Sequence, residues 1–307
     1  MSNTHRPAHV TGGRKFELRA ASASSHWLAS KRRRDLLQKL IIYPVLLAGA
    51  CVMMIPLVWL LSSSLKDSGR IFIFPPEWVP NPWRPENYPA VLEAIPFVRF
   101  AWNTVFVTAL ALLGQLISSS LVAFGFARLR FPGRDLLFLV LLATIMIPYQ
   151  VTLIPTFILF RILGWLDTYA PLIVPYWLGG GAFFIFLLRQ FYMRLPLDLD
   201  DAGRIDGAST FGIYRHIILP QSRPALGVVA VFSFLNHWND FFNPLIFLST
   251  TEKYTLALGI NLFRGYQVTQ WHLLMAASVM VSLPCILLYA LAQRYFIQGI
   301  VFTGVKQ

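Results

Sequence analysis

Residues 101–127 read AWNTVFVTALALLGQLISSSLVAFGFA, a stretch without a single Asp, Glu, Lys or Arg. A helix of ~20 apolar residues crosses a bilayer core about 30 Å thick, so this stretch predicts a membrane span. Ser119, Ala123 and Ala127 recur every fourth residue within it. Such a stripe of small side chains lets a second helix approach closely.

Working outward, five further runs have the same character: 40–61, 136–160, 168–188, about 224–248 and about 273–293. The first contains Pro44 and Pro56, and the fifth holds Asp240, the one acidic residue inside a span. The whole chain of 307 residues is 56% hydrophobic and 13% charged, about half the ~25% charged fraction of a soluble domain. The predicted fold class is an all-α integral membrane protein with six transmembrane helices and both termini on one side.

The segments between the runs set the orientation, because cytoplasmic loops are enriched in Lys and Arg. With the N-terminus inside, residues 1–40, 128–135, 189–223 and 294–307 carry 19 Lys and Arg, against 7 in the outer segments. Both termini are therefore expected in the cytoplasm. The net charge of +12 becomes a topology signal rather than a nucleic-acid footprint.

Residues 1–39, ending in the basic cluster Lys31-Arg32-Arg33-Arg34, read as a disordered arm. Arg33-Arg34 followed by Asp35-Leu36-Leu37 loosely matches a twin-arginine export signal. Such signals carry an apolar region of ~7–15 residues and precede a soluble chain; here five more spans follow, so 40–61 is read as a retained first span. The outer segment 62–100 is rich in Pro, Trp and Asn and is expected to form an ordered cap, since proline forbids a long helix. Trp78 and Trp83 suit the interface. The third run is interrupted at Ile147-Pro148-Tyr149-Gln150 and again at Pro155, placing freed carbonyls at membrane depth, where protein or a polar cavity must cover them.

No GxxxxGK[ST] loop occurs, so the chain has no recognisable ATP cradle of its own. The six histidines, at 5, 9, 26, 216, 237 and 272, show no metal spacing, and Cys51 and Cys285 lie apart within apolar runs. A single intramembrane carboxylate is too few for a proton-driven carrier. The expectation is a transport subunit without catalytic, metal or cofactor sites. Candidate pathway residues are Asn103, Gln115, Gln150, Asn236, Asn239 and Asp240, because polar side chains at lipid depth face protein or water.

The inner segment Leu195-Pro196-Leu197-Asp198-Leu199-Asp200-Asp201-Ala202-Gly203-Arg204-Ile205-Asp206-Gly207-Ala208-Ser209 predicts a short helix begun by Pro196, acidic at its N-terminal end. Gly207 then allows a sharp turn and Ser209 caps a second short helix. Leu199, Ala202 and Ile205 form a narrow apolar face that a polar loop does not need unless something docks there.

This loop resembles the EAA signature of the membrane subunits of bacterial ABC importers, EAA followed by x-x-x-G and later I-x-L-P. The matching residues are Asp201-Ala202-Gly203, Gly207 and Ile217-Ile218-Leu219-Pro220. Asp201 stands where Glu is usual and Gly203 where the second Ala is usual. The likeness extends over roughly residues 100 to 298, and residues 147–155, Trp238-Asn239-Asp240-Phe241-Phe242 and Tyr295-Phe296-Ile297-Gln298-Gly299-Ile300 look like the sugar-importer permeases related to the smaller membrane subunit of the maltose system. The resemblance implies a type I importer fold over 101–298, with a coupling loop at 195–220 and a cytoplasmic tail at 299–307 that reaches between ATPase subunits in some relatives. It also implies a second homologous permease, two cytoplasmic ATPase subunits that hold ATP and Mg, an external solute-binding protein, and residence in a bacterial or archaeal plasma membrane. The contact with the ATPase falls on Asp201, Ala202, Gly203, Arg204, Asp206, Gly207 and Ala208. The competing reading is a six-helix channel or secondary carrier working alone.

Overall fold

A computed structural model describes residues 13–265 and 268–301, with side chains over 39–265 and 268–293. Helices dominate, and the sole β feature among the described residues is a single bridge between Arg264 and Thr269. Packing divides the chain into two units, Met1–Trp59 and Leu60–Gln307.

The first unit is the greater part of α1, Gly13–Ser64, whose apolar portion is Lys39–Ser64. The helix starts well inside the arm expected to be disordered, which corrects that reading for residues 13–39. These residues contain no proline and many Ala, Leu, Lys and Arg, all strong helix formers. Once a membrane span has supplied the costly nucleus, propagation outward is cheap.

In the second unit the expected cap is held in place. Asn87 Nδ2 donates to Ser64 O and Lys66 O, both at 2.9 Å, and the Ser62 hydroxyl donates to Trp78 O at 2.6 Å. The cap contains a short helix, α2 (Asn87–Ala94). Val91 and Ile95 from this region join Phe100, Trp238, Leu256 and Leu274 in an outer core. The rings of Trp78 and Trp83 stay largely exposed.

The central element is α3, Phe97–Arg128, which packs against three other spans. Ser119 and Ala123 are wholly buried on it, so the small-residue stripe does admit close neighbours. The third run is split into α4 (Arg134–Ile145) and α5 (Tyr149–Ile162), bent by 99°. The break falls at Pro148, as expected; α5 runs on through Pro155, so the second interruption is absent. Pro148 is extended at ψ 135° and restricts its predecessor, whereas Pro155 sits where neighbouring structure can absorb one missing donor.

The fourth run is also two helices, α6 (Ala170–Trp177) and α7 (Ala182–Arg194), joined through Gly179-Gly180-Gly181. Gly180 and Gly181 have φ of 60° and 80°, a region open chiefly to glycine. Next come α8 (Asp198–Ile205), α9 (Thr210–Ile213), a π-helical turn (Tyr214–Ile218), and α10 (Leu219–Gln221). The fifth span is α11 (Arg223–Trp238), followed by α12 (Phe242–Phe247) and α13 (Leu256–Gly259). The last, α14, covers Trp271–Val301. Among the described residues four helices are long and apolar enough to cross a membrane, and up to six spans result if each bent pair counts as one. The end of the tail, including Lys306, lies outside the described residues.

Candidate functional site

The 195–220 loop folds because its sequence satisfies both ends of a short helix. Three carboxylates, Asp198, Asp200 and Asp201, occupy the first turn of α8, where the helix dipole favours negative charge. The helix starts at Asp198, two residues beyond Pro196. At its other end Gly207 adopts φ 78°. Gly207 N donates to Arg204 O at 3.0 Å and Ala208 N to Gly203 O at 2.9 Å. This is a Schellman closure, which satisfies the last helical carbonyls through a left-handed residue. Ser209 then caps α9 by accepting from Gly212 N at 3.1 Å.

The carboxylates divide by direction. Asp198, Asp201 and Asp206 are exposed, and Asp201 pairs with Arg204 at 3.0 Å in solvent. Asp200 turns inward, 4% exposed, to meet Arg128 from the end of α3 at 3.7 Å. Gly203 is also buried, because a Cβ there would stand 2.7 Å from Ile217 Cδ1 and 3.2 Å from Ile213 Cγ1. The missing side chain lets α8 lie directly on the following segment. Ile205 (86%) and Ala202 are exposed as the face reading required, while Leu199 is half-buried. Phe211 and Leu197 add further exposed apolar surface.

Beneath α8, the segment after it is anchored in an inner core. Ile213, Tyr214 and Ile218 pack with Phe124 of α3 and Ile185, Leu188 and Tyr192 of α7. The Ser120 hydroxyl lies 2.7 Å from Tyr192 OH and 2.9 Å from Tyr214 OH. Neither this triad nor the Arg128–Asp200 pair is legible in the sequence, since neither forms a local spacing pattern.

The pathway candidates separate into two groups. Asn103 is buried and its Nδ2 donates to Glu252 O and Tyr254 O, both at 2.9 Å, tying α3 to the outer segment. Gln115 is also buried; its amide donates to Gly180 O, and its Oε1 meets Ser233 Oγ and His237 Nε2, both at 3.0 Å. These two residues join protein to protein and are not brought to the others. Gln150, Asn236 and Asn239 are exposed, at the α4–α5 break and the end of α11. Asp240 sits in the break between α11 and α12, accepting from Asn243 N at 3.1 Å and Asn243 Nδ2 at 2.8 Å. Tyr149 OH donates to Asn243 Oδ1 at 2.5 Å, linking the two broken spans. Sequence reasoning missed Asn243, although its place three residues after Asp240 suits a capping contact.

On the outer side, Asp167 ties two segments together. It accepts from Ser249 N (3.0 Å), Thr250 N (2.9 Å), Thr250 Oγ1 (2.6 Å) and Lys253 Nζ (2.8 Å). The Lys253 ammonium foremost, then the Thr250 and Ser249 donors, hold its carboxyl well below the usual carboxylate range.

Comparison with known proteins agrees with this architecture. The family model described as "Binding-protein-dependent transport system inner membrane component" matches residues 115–301. The diacetylchitobiose uptake system permease protein of Streptomyces coelicolor is 32% identical over 254 residues, 82% of this chain and 84% of that one. The sn-glycerol-3-phosphate transport system permease protein of Salmonella typhimurium is 32% identical over 84% of this chain and 94% of its own. Among solved structures, a chain of a bacterial ABC transporter involved in the import of the acidic polysaccharide alginate superposes with TM-score 0.74 at 22% identity, covering 86% of this chain and 98% of that one. With its bent spans, its inner EAA-like loop and these relatives, the chain belongs to the binding-protein-dependent transport inner membrane component family, as an integral membrane permease subunit of the ABC importer type.

Proposed function

We propose that this permease forms half of a translocation pathway for a sugar or sugar-like solute, and that residues 195–220 take up the work of ATP hydrolysis from cytoplasmic ATPase subunits. The observation that carries the reading is the exposed face of α8, with Ala202 and Ile205 bordered by Asp198, Asp201, Arg204 and Asp206 and closed by the left-handed turn at Gly207. An apolar strip rimmed by charge is a docking surface, since water alone gives no return for exposing it. Asp201, Ala202, Gly203, Arg204, Asp206, Gly207 and Ala208 make up this contact. Gly203 contributes by letting α8 seat closely rather than by touching the partner.

The assembly comprises this subunit, a second homologous permease, two ATPase subunits carrying ATP and Mg, and an external solute-binding protein. It sits in a bacterial or archaeal plasma membrane among lipid and engages no nucleic acid. The chain itself binds no cofactor. Gln150, Asn236, Asn239 and Asp240 line the path on this subunit's side. The named relatives are permease proteins of a diacetylchitobiose uptake system and an sn-glycerol-3-phosphate transport system; no Lys or Arg lies deep in a span here, which favours a neutral sugar over an anion.

Gly207→Val tests the reading in the assembled transporter. A β-branched residue resists φ 78°, so the turn opens and α8 loses its seat. ATP hydrolysis is expected to persist while uptake per ATP falls at least about tenfold, a coupling change within the usual allosteric range. Normal uptake with the variant stably inserted would sink the assignment. Binding of candidate sugars to the cognate external protein then identifies the solute.

A further inference from the structure

We infer that Arg128 and Asp200 form a buried latch that fastens the coupling loop to the central helix α3, making Arg128 a positioning residue for energy transfer. This rests on the coupling role of residues 195–220. The covalent chain joins α8 to α7 and, through α9 and α10, to α11; it offers no direct route to α3. Arg128 supplies one. It is the last residue of α3, its side chain is 2% exposed, and its guanidinium makes two contacts on the loop. Nη2 donates to Leu195 O at 2.9 Å, at the exit from α7, and Nη1 faces Asp200 Oδ2 at 3.7 Å, inside the first turn of α8.

Each charge also suits the helix end that bears it. Arg128 lies at the negative end of α3 and Asp200 at the positive end of α8. A docking face needs its acidic residues outward, and Asp198, Asp201 and Asp206 comply; Asp200 alone is 4% exposed. Its direction serves the interior of the subunit. α3 in turn carries Gln115, which holds α11 and the α6–α7 joint. A displacement of α8 is thus delivered to the helix against which α6, α7 and α11 pack. The directional pair with Leu195 O fixes both position and angle, whereas an apolar contact would allow sliding.

The test uses the complete transporter, with its ATPases and binding protein, reconstituted in vesicles. Asp200→Asn and Arg128→Met each strand one buried partner. Arg128→Met with Asp200→Leu removes both charges at similar volume, so no buried charge is left unpaired and only the half-buried Leu195 O loses its donor, which keeps assembly intact. For the double variant, uptake per ATP is expected to fall at least about fivefold, with co-purification and thermal stability unchanged. A second readout, insensitive to mere loss of stability, is the distance between spin labels at Arg130→Cys and Asp198→Cys, on a background with Cys51→Ser and Cys285→Ala. With the pair intact the distribution stays narrow through the ATP cycle; in the double variant it broadens. A well-assembled double variant with unchanged coupling and a narrow distribution overturns the latch. If Gly207→Val still uncouples in that case, the coupling reading stands and only the latch fails. If Gly207→Val has no effect, the coupling reading itself fails.

Discussion

Three individual residues behave in ways their types alone do not announce. Gly203 and Gly180 both lie where a Cβ would crowd a neighbour, but the neighbours differ. At Gly203 the nearest atom is the flexible end of Ile217, whereas at Gly180, with φ 60°, it is the Ser119 backbone nitrogen at 2.6 Å. Gly203→Ala is therefore expected to cost less stability than Gly180→Ala, because the end of Ile217 can rotate and Ile213 Cγ1, at 3.2 Å, has only to give slightly. Gly180→Ala costs on the order of 1–3 kcal/mol from its left-handed backbone alone and more from the clash. Melting temperatures of the two purified variants distinguish these outcomes. The third residue is Asp167, whose carboxyl is held below its ordinary range chiefly by Lys253. A depressed carboxylate stabilises fully above its unfolded pKa of about 3.9 and loses that contribution as pH falls toward its folded value. Protection of residues 247–253 against proteolysis should hold from pH 7 to about 4 and decline below that. Asp167→Asn should start lower and show little acid dependence. Neither Gly180 nor Asp167 was legible in the sequence as a site, and Gly203 was visible there through its place in the EAA-like signature, not through its close packing. What the sequence does show is Gly207, because a glycine just past a short acidic helix has one common use.

At the scale of elements, charge-free length identified the spans, while their breaks were only half visible. Pro148 announces its break because a missing donor and a restricted predecessor act locally. The α6–α7 joint does carry a signal, since three consecutive glycines each weaken a helix by about 1 kcal/mol relative to Ala, but the conformation they take is selected only where α3 comes close. That selection is made by side chains distant in sequence. Trp177 Nε1 donates to Leu110 O at 3.0 Å, Ser118 Oγ to Tyr176 O at 2.7 Å, and Gln115 reaches Gly180 O and α11 together. The polarity of Gln115 within a span is visible in the sequence and its partners are not. Gln115→Leu keeps the volume but leaves Gly180 O, Ser233 and His237 without their shared partner. Unsatisfied buried groups cost about 1–3 kcal/mol each, and interhelical bonds in lipid average about 0.6 kcal/mol. A loss of about 2 kcal/mol, read as a lower melting temperature in detergent, is the expected result.

For the molecule as a whole, the uneven charge distribution makes the orientation testable. In a background lacking Cys51 and Cys285, Trp83→Cys should react with a membrane-impermeant thiol reagent on intact cells, and Arg204→Cys only after permeabilisation. The reverse pattern would invert the topology and place the coupling loop out of reach of any ATPase. Overall fold class was readable from the sequence because lipid imposes one strong constraint, that backbone groups be satisfied within helices. How helices join across the membrane was not, because it depends on pairs such as Ser120 with Tyr214, 94 residues apart. The α6–α7 joint carries one more consequence, concerning leakage. Exposed backbone oxygens clustered within a membrane are the ligand set from which cation filters are built. Here Tyr176 O is taken by Ser118, Gly180 O by Gln115, and Gly181 O by the amides of Phe184 and Ile185. With these three oxygens occupied, the broken span offers a passing sodium or potassium ion a depleted ligand set, which works against leakage of the cell's ion gradients as the subunit flexes around a solute.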